Sequence, residues 1–91
     1  MLLLTTREAA IYAGVPAGYN TKITQAIRDG IIHGHKAMKG KRHVWLIRID
    51  EDFENFSIDL RNYVEETNLR WNEIKEDILK SQKELRAKLN K

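Results

Sequence analysis

The apolar positions of the chain fall into three patterns: helical spacing at the start, a stretch of strand formers in the middle, and a seven-residue repeat at the end. Thr5-Thr6-Arg7-Glu8 opens the first as a capping box, with Thr5 at the N-cap and Glu8 reaching back to the Thr5 amide. Leu4 and Ala9 flank it where a hydrophobic staple fixes how the chain enters the helix. The helix continues through Ala10, Ile11, Tyr12 and Ala13 and stops at Gly14. It is short and Ala-rich, so its neighbours can approach closely. Val15 to Asn20 is dominated by turn formers. A second helix is predicted from about Thr21 to Asp29, capped by Asn20 and ended by Gly30. At 100° per residue, Ile23, Ala26 and Ile27 share one face, with Thr21, Gln25 and Arg28 opposite and Lys22 and Thr24 at the flanks.

The middle reads as a β-hairpin, with arms at 31–36 and 43–49 and a positively charged glycine turn, Ala37-Met38-Lys39-Gly40-Lys41-Arg42, between them. Asp50 caps a third helix, with Glu51 and Asp52 placed favourably in its first turn. From Asp50 onward there is no Pro or Gly, which predicts one long helix, or two with a break near Asn55 to Ser57. Phe53, Phe56 and Leu60 belong to the domain core.

Beyond them Val64, Trp71, Ile78 and Leu85 recur at sevens, and Leu60 and Ile74 take complementary positions. Glu66–Arg70, Glu76–Lys80 and Glu84–Lys88 have the spacing and orientation of helical ion pairs. Thr67, Ser81 and Lys88 fill the remaining seam positions, so the seam is half polar. The stripe has three readings: packing on its own domain, pairing with a second copy, or gripping another protein. A straight helix past Val64 would project roughly 40 Å at about 1.5 Å per residue, further than so small a domain can cover. Self-association through Val64, Trp71, Ile74, Ile78 and Leu85, as a dimer or a cooperative array, is the favoured reading.

Composition narrows the class. At 91 residues, 42% hydrophobic and 32% charged, the chain holds one small domain and is neither greasy nor a disordered polyampholyte. The early apolar run, Met1 to Leu4, is too short for a membrane span or a secretory segment. The absence of Cys removes disulfides, zinc ribbons and thiol catalysis, and fits a cytoplasmic setting. Charge is segregated. Residues 1–49 carry eight Lys/Arg against two acids, and residues 50–91 carry eight against eleven, so the net +3 divides into +6 and −3. Such a split turns the basic part toward a polyanion and lets the acidic part keep the remaining surface off it.

The order helix, turn, helix, basic hairpin, helix resembles the winged helix-turn-helix DNA-binding domains of the excisionase, MerR-like family. The resemblance rests on Leu4-Thr5-Thr6-Arg7-Glu8-Ala9-Ala10, Tyr12, Gly14-Val15, the set Ile23, Ile27, Arg28 and Gly30, Lys39-Gly40-Lys41-Arg42, and Ile49-Asp50-Glu51-Asp52-Phe53. It spans roughly residues 2–56, and departs from the family in a longer turn at Pro16 to Asn20.

The resemblance implies a winged helix-turn-helix over 1–56; with the long C-terminal helix read over 57–91 from the absence of Pro and Gly, the expected fold is mainly α with a small β-hairpin. It implies sequence-specific binding of double-stranded DNA by a nucleoid-associated protein, regulating recombination or transcription. Thr21, Lys22, Thr24, Gln25 and Arg28 of the second helix would face the major groove, Gln25 being suited to adenine and Arg28 to guanine or phosphate. Lys36, Lys39, Lys41 and Arg42 on the wing would lie along phosphate or the minor groove. Thr5 or Thr6, with Arg7, would hold a backbone phosphate at a helix N-terminus. Expected partners are duplex DNA, a second copy of the chain, and a recombinase or other protein, with no membrane.

Two alternatives stand beside this: a DNA tether whose C-terminal helix docks a partner, and a protein-interaction module that does not bind DNA. His33 and His35 share a strand face and His43 lies on the facing strand, but a metal site is not favoured, since no carboxylate or Cys is expected nearby and the surrounding lysines repel a cation. No cofactor is expected. No phosphate loop, nucleophile elbow or enclosed carboxylate pair is present, so the chain is read as a non-enzyme.

Overall fold

A computed structural model describes residues 2–90. Its elements, in chain order, are β1 (Leu3–Thr5), α1 (Thr6–Ala13), a short 3-10 turn (Ala17–Tyr19), α2 (Asn20–Arg28), β2 (Gly34–Lys39), β3 (Arg42–Arg48), α3 (Glu51–Thr67) and α4 (Trp71–Leu89). The architecture is mainly helical with one small antiparallel sheet in the order β1-β3-β2. Among the described residues no helix is long and apolar enough to cross a membrane.

The start of α1 is the capping box read from the sequence. The Thr5 N–H donates to Glu8 Oε1 (3.1 Å) and the Glu8 N–H donates to Thr5 Oγ1 (3.3 Å). At its other end Gly14 takes the left-handed φ of 81°, and the N–H groups of Gly14 and Val15 satisfy the carbonyls of Ile11 and Ala10. The second helix begins one residue earlier than expected. Asn20 lies inside α2 rather than capping it, because the 3-10 turn runs directly into the helix.

Leu3–Thr5 is a strand, which helical spacing around the capping box did not announce; it pairs with Leu46 to Arg48. The hairpin is displaced from the expected arms. Residues 31–33 stay outside β2, while Ala37, Met38, Lys39 and Arg42 are strand rather than turn. Lys39 pairs with Arg42, so only Gly40 and Lys41 connect the arms. Gly40 alone of the two has positive φ (64°), the pattern of a type II′ turn, whose twist matches that of the flanking strands.

Asp50 caps α3 as predicted, its Oδ1 accepting from the Phe53 N–H (3.0 Å) and its Oδ2 from Arg48 Nε (2.7 Å). The Phe53 N–H, with help from the Arg48 guanidinium, holds the Asp50 carboxyl below its ordinary value against the opposing effect of burial. The helix does not break at 55–57. Ser57 is buried within it and donates to the Phe53 carbonyl (2.8 Å). The break comes at 68–70, where Asn68 turns extended and its Oδ1 accepts from the Arg70 N–H (2.9 Å).

That turn reverses the chain and lays α4 along α1. Ala9, Ala10, Ile23, Ile47, Phe53 and Val64 are completely buried, and Trp71 joins the same core. Ile74 and Ile78 pack against this core from α4. The seven-residue repeat is therefore not a continuous seam, because Val64 and Trp71 stand on opposite sides of a turn. Four of the five residues expected to pair with a second copy are used inside the domain, and Leu85 is half-buried beside Ile11. The division at residue 56 falls inside α3. None of the three expected helical ion pairs is among those formed. Arg61–Glu65 (3.3 Å), Arg70–Glu73 (3.0 Å) and Arg86–Glu54 (3.6 Å) are found, since Glu66 and Arg70 lie across the turn from one another.

Candidate nucleic-acid interface

Two buried residues orient α2. Ile23 and Ala26 face the core, and Ile27 points at the sheet, where its Cδ1 would lie 2.9 Å from a Cβ at position 34. Gly34 is what allows that close approach of helix and sheet. Thr21, Lys22, Gln25 and Arg28 are exposed and Thr24 is half-buried, so all five predicted residues lie off the core face.

Their side chains differ in readiness. Gln25 Nε2 donates to Asp29 Oδ1 (3.0 Å), Thr24 donates its hydroxyl to the Thr21 carbonyl (3.0 Å), and Lys22 Nζ stands 4.7 Å from the Tyr63 ring centroid. Lys22 thus leans toward α3 over a cleft of about 290 Å³ that Phe56, Asp59 and Tyr63 help to line. Arg28 is free of ion pairs among the described residues.

The hairpin cations do not share one face. Gly34, which meets α2, pairs with the buried Ile47. Side chains alternate along a strand, so Lys36 with Trp45 and Met38 with His43 continue on this helix-facing side. Lys39 and Arg42 pair on the opposite side, where they line a cleft of about 320 Å³ with Thr5 and Val44. Lys41 sits in the turn between the two faces. Trp45 was not among the residues predicted for the site, and its place beside Lys36 follows only once the two-residue turn fixes the register.

At α1 the Thr5 part of the expected phosphate position is engaged from within. Glu8 Oε1 takes both the Thr5 amide and the Thr5 hydroxyl (3.1 and 3.0 Å), leaving Arg7 as the exposed cation of that end, with Thr6 half-buried. The histidines separate as well. His35 and His43 lie on opposite sheet faces, and His33 bonds to Asp52 Oδ2 (3.0 Å). His33, Asp50 and Asp52 form a group within 4.8 Å, but Asp50 has committed both oxygens to Phe53 and Arg48.

The distribution of pairing is the broadest feature of the surface. Among the described residues, every lysine or arginine in an ion pair lies at position 48 or later, although Lys75, Lys80, Lys83 and Lys88 of α4 have no acidic partner either. Among the described residues, Arg7, Lys22, Arg28, Lys36, Lys39, Lys41 and Arg42 have no acidic partner within 4.0 Å. No protein-family model matches this chain, nor does any curated protein or solved structure.

Proposed function

We propose that this protein binds double-stranded DNA in a sequence-specific manner through α2 and the β2–β3 wing, as a winged helix-turn-helix regulator of recombination or transcription. The observation that carries the reading is that the seven cations of α1, α2 and the hairpin lack an acidic partner in a segment whose only acids are Glu8 and Asp29, whereas the unpaired lysines of α4 are interspersed with acids. Seven cations held without internal partners keep up a positive field, which a phosphate backbone neutralises with release of counterions. Thr21, Gln25 and Arg28 supply donors and acceptors of the kind that read base edges in a major groove.

The tether reading loses its docking stripe, since Trp71, Ile74 and Ile78 pack within the domain. The test is selection of retained sequences from a random duplex pool at low salt. An enriched motif is the expected result. Retention without a motif removes sequence-specific readout, and no retention overturns DNA binding and leaves the basic half to an acidic protein.

A further inference from the structure

Trp45 is a large aromatic that the fold does not use in its core. It is only half-buried, and it stands outside the set of partly buried apolar residues, such as Ile27 and Ile49, that pack against the core. Among the described residues its one cation–π partner is Lys36, whose Nζ lies 5.3 Å from a Trp45 ring centroid, and it forms no ring–ring pair. The pair is cross-strand, and on the same helix-facing side come the exposed Met38 (60%) and His43. This side of the wing therefore presents an indole, a thioether, an imidazole and one ammonium, whereas Lys39 and Arg42 sit on the other side.

Resting on the DNA reading above, we infer that the wing engages duplex DNA through Trp45, which lays its ring against deoxyribose and base edges in the groove next to the one α2 enters, with Lys36 reaching the adjacent phosphate. A ring of this kind has a π-face for sugar and base and carries no charge, so its contribution does not depend on counterion release. Lys36 acts by the opposite physics: it contributes through a phosphate and so through salt. Their contact inside the protein holds the ammonium over the indole, which sets both at the same place along the groove.

The difference in salt dependence gives the test. Affinity for the selected duplex is measured against salt concentration for the full chain and for Trp45→Ala, Trp45→Phe and Lys36→Ala, with thermal unfolding of each. Trp45→Ala is expected to weaken binding roughly ten- to hundredfold through lost apolar contact, with an unchanged salt slope, and Trp45→Phe to retain most of the affinity. Lys36→Ala is expected to reduce the slope by about one. In the unsubstituted protein, bound DNA should shield the Trp45 emission from acrylamide, while Trp71, 9% exposed, is shielded with or without DNA.

Wild-type affinity in Trp45→Ala, or undiminished acrylamide quenching in the complex, overturns this inference alone. A loss in Trp45→Ala that comes with a reduced slope overturns it too, because the ring would then act only by holding Lys36. Failure of the unsubstituted chain to bind any duplex removes the DNA reading itself. Should Trp45→Ala not fold, Trp45→Phe and the quenching measurement decide.

Discussion

The α1–α4 seam and the β2–β3 hairpin each set a cation over an aromatic ring, yet they treat the cation in opposite ways. In the seam, the Arg86 guanidinium lies 4.0 Å from the Tyr12 ring centroid. It donates twice to the Tyr12 carbonyl, at 3.2 and 3.0 Å, and pairs with Glu54 at 3.6 Å. Gln82 Nε2 adds a third donor to that carbonyl at 2.9 Å. Tyr12 belongs to the last turn of α1, where carbonyls have no partner within the helix, so α4 finishes the cap that Gly14 begins. In the hairpin, Lys36 covers Trp45 with no acid nearby, and the ring has no core behind it. Donors satisfied inside the fold stabilise it. Donors left unsatisfied are free for a ligand.

The comparison can be broken most forcefully at Trp71, where α4 enters the core. Trp71→Ala should cost about 3–5 kcal/mol in urea unfolding. The unfolding temperature of the parent chain should stay constant over a wide range of protein concentration, as an intrachain contact requires. A temperature that rises with concentration would return the stripe to self-association. Next in size is the cap on α1. Removing Arg86 and Gln82 together leaves the Tyr12 carbonyl without its side-chain donors and should cost about 2 kcal/mol, read from the same unfolding curves.

Asp50→Ala should cost about 1 kcal/mol at neutral pH. The native carboxyl titrates below its ordinary value, so its contribution is complete above the ordinary carboxylate range and fades as pH falls through the depressed native value. The parent and Asp50→Ala stabilities should therefore converge in acid, and parallel curves would refute the assignment. Smallest for the fold are the hairpin cations. Lys41→Glu with Arg42→Glu should shift stability by no more than about 0.5 kcal/mol, and the proposed DNA binding requires that this variant lose much of its affinity with a flatter salt dependence. A charge reversal there that unfolds the protein would erase the contrast between the two regions.

Local chemistry was legible where one residue decides its own neighbourhood. Thr5 with Glu8, Gly14, Gly30 and Asp50 marked helix ends that the structure keeps, because caps act over three or four residues. Choices decided by distant residues were not legible. Asn68 carries the turn that sends α4 back along α1, yet an Asn within an unbroken polar helix pattern reads as an ordinary exposed position. The strict sevens from Val64 to Leu85 then suggested one straight seam, although the same residues serve equally well in two helices facing one core. Similarly, a turn of two residues rather than six moves Lys39 and Arg42 to the far side of the sheet. A one-residue shift in register exchanges the faces of every side chain in a strand, and Gly40 alone did not fix it.

The cap on Tyr12 also sets an order in time. Its donors come from residues 70 and 74 positions further along the chain. During synthesis α1 can be drafted early, but its C-terminal carbonyl stays with water until α3 has formed, the chain has turned at Asn68, and most of α4 has emerged. Helix α1 is thus among the last to be completed, and a nascent chain that has not yet delivered residue 82 holds an α1 whose end is still provisional.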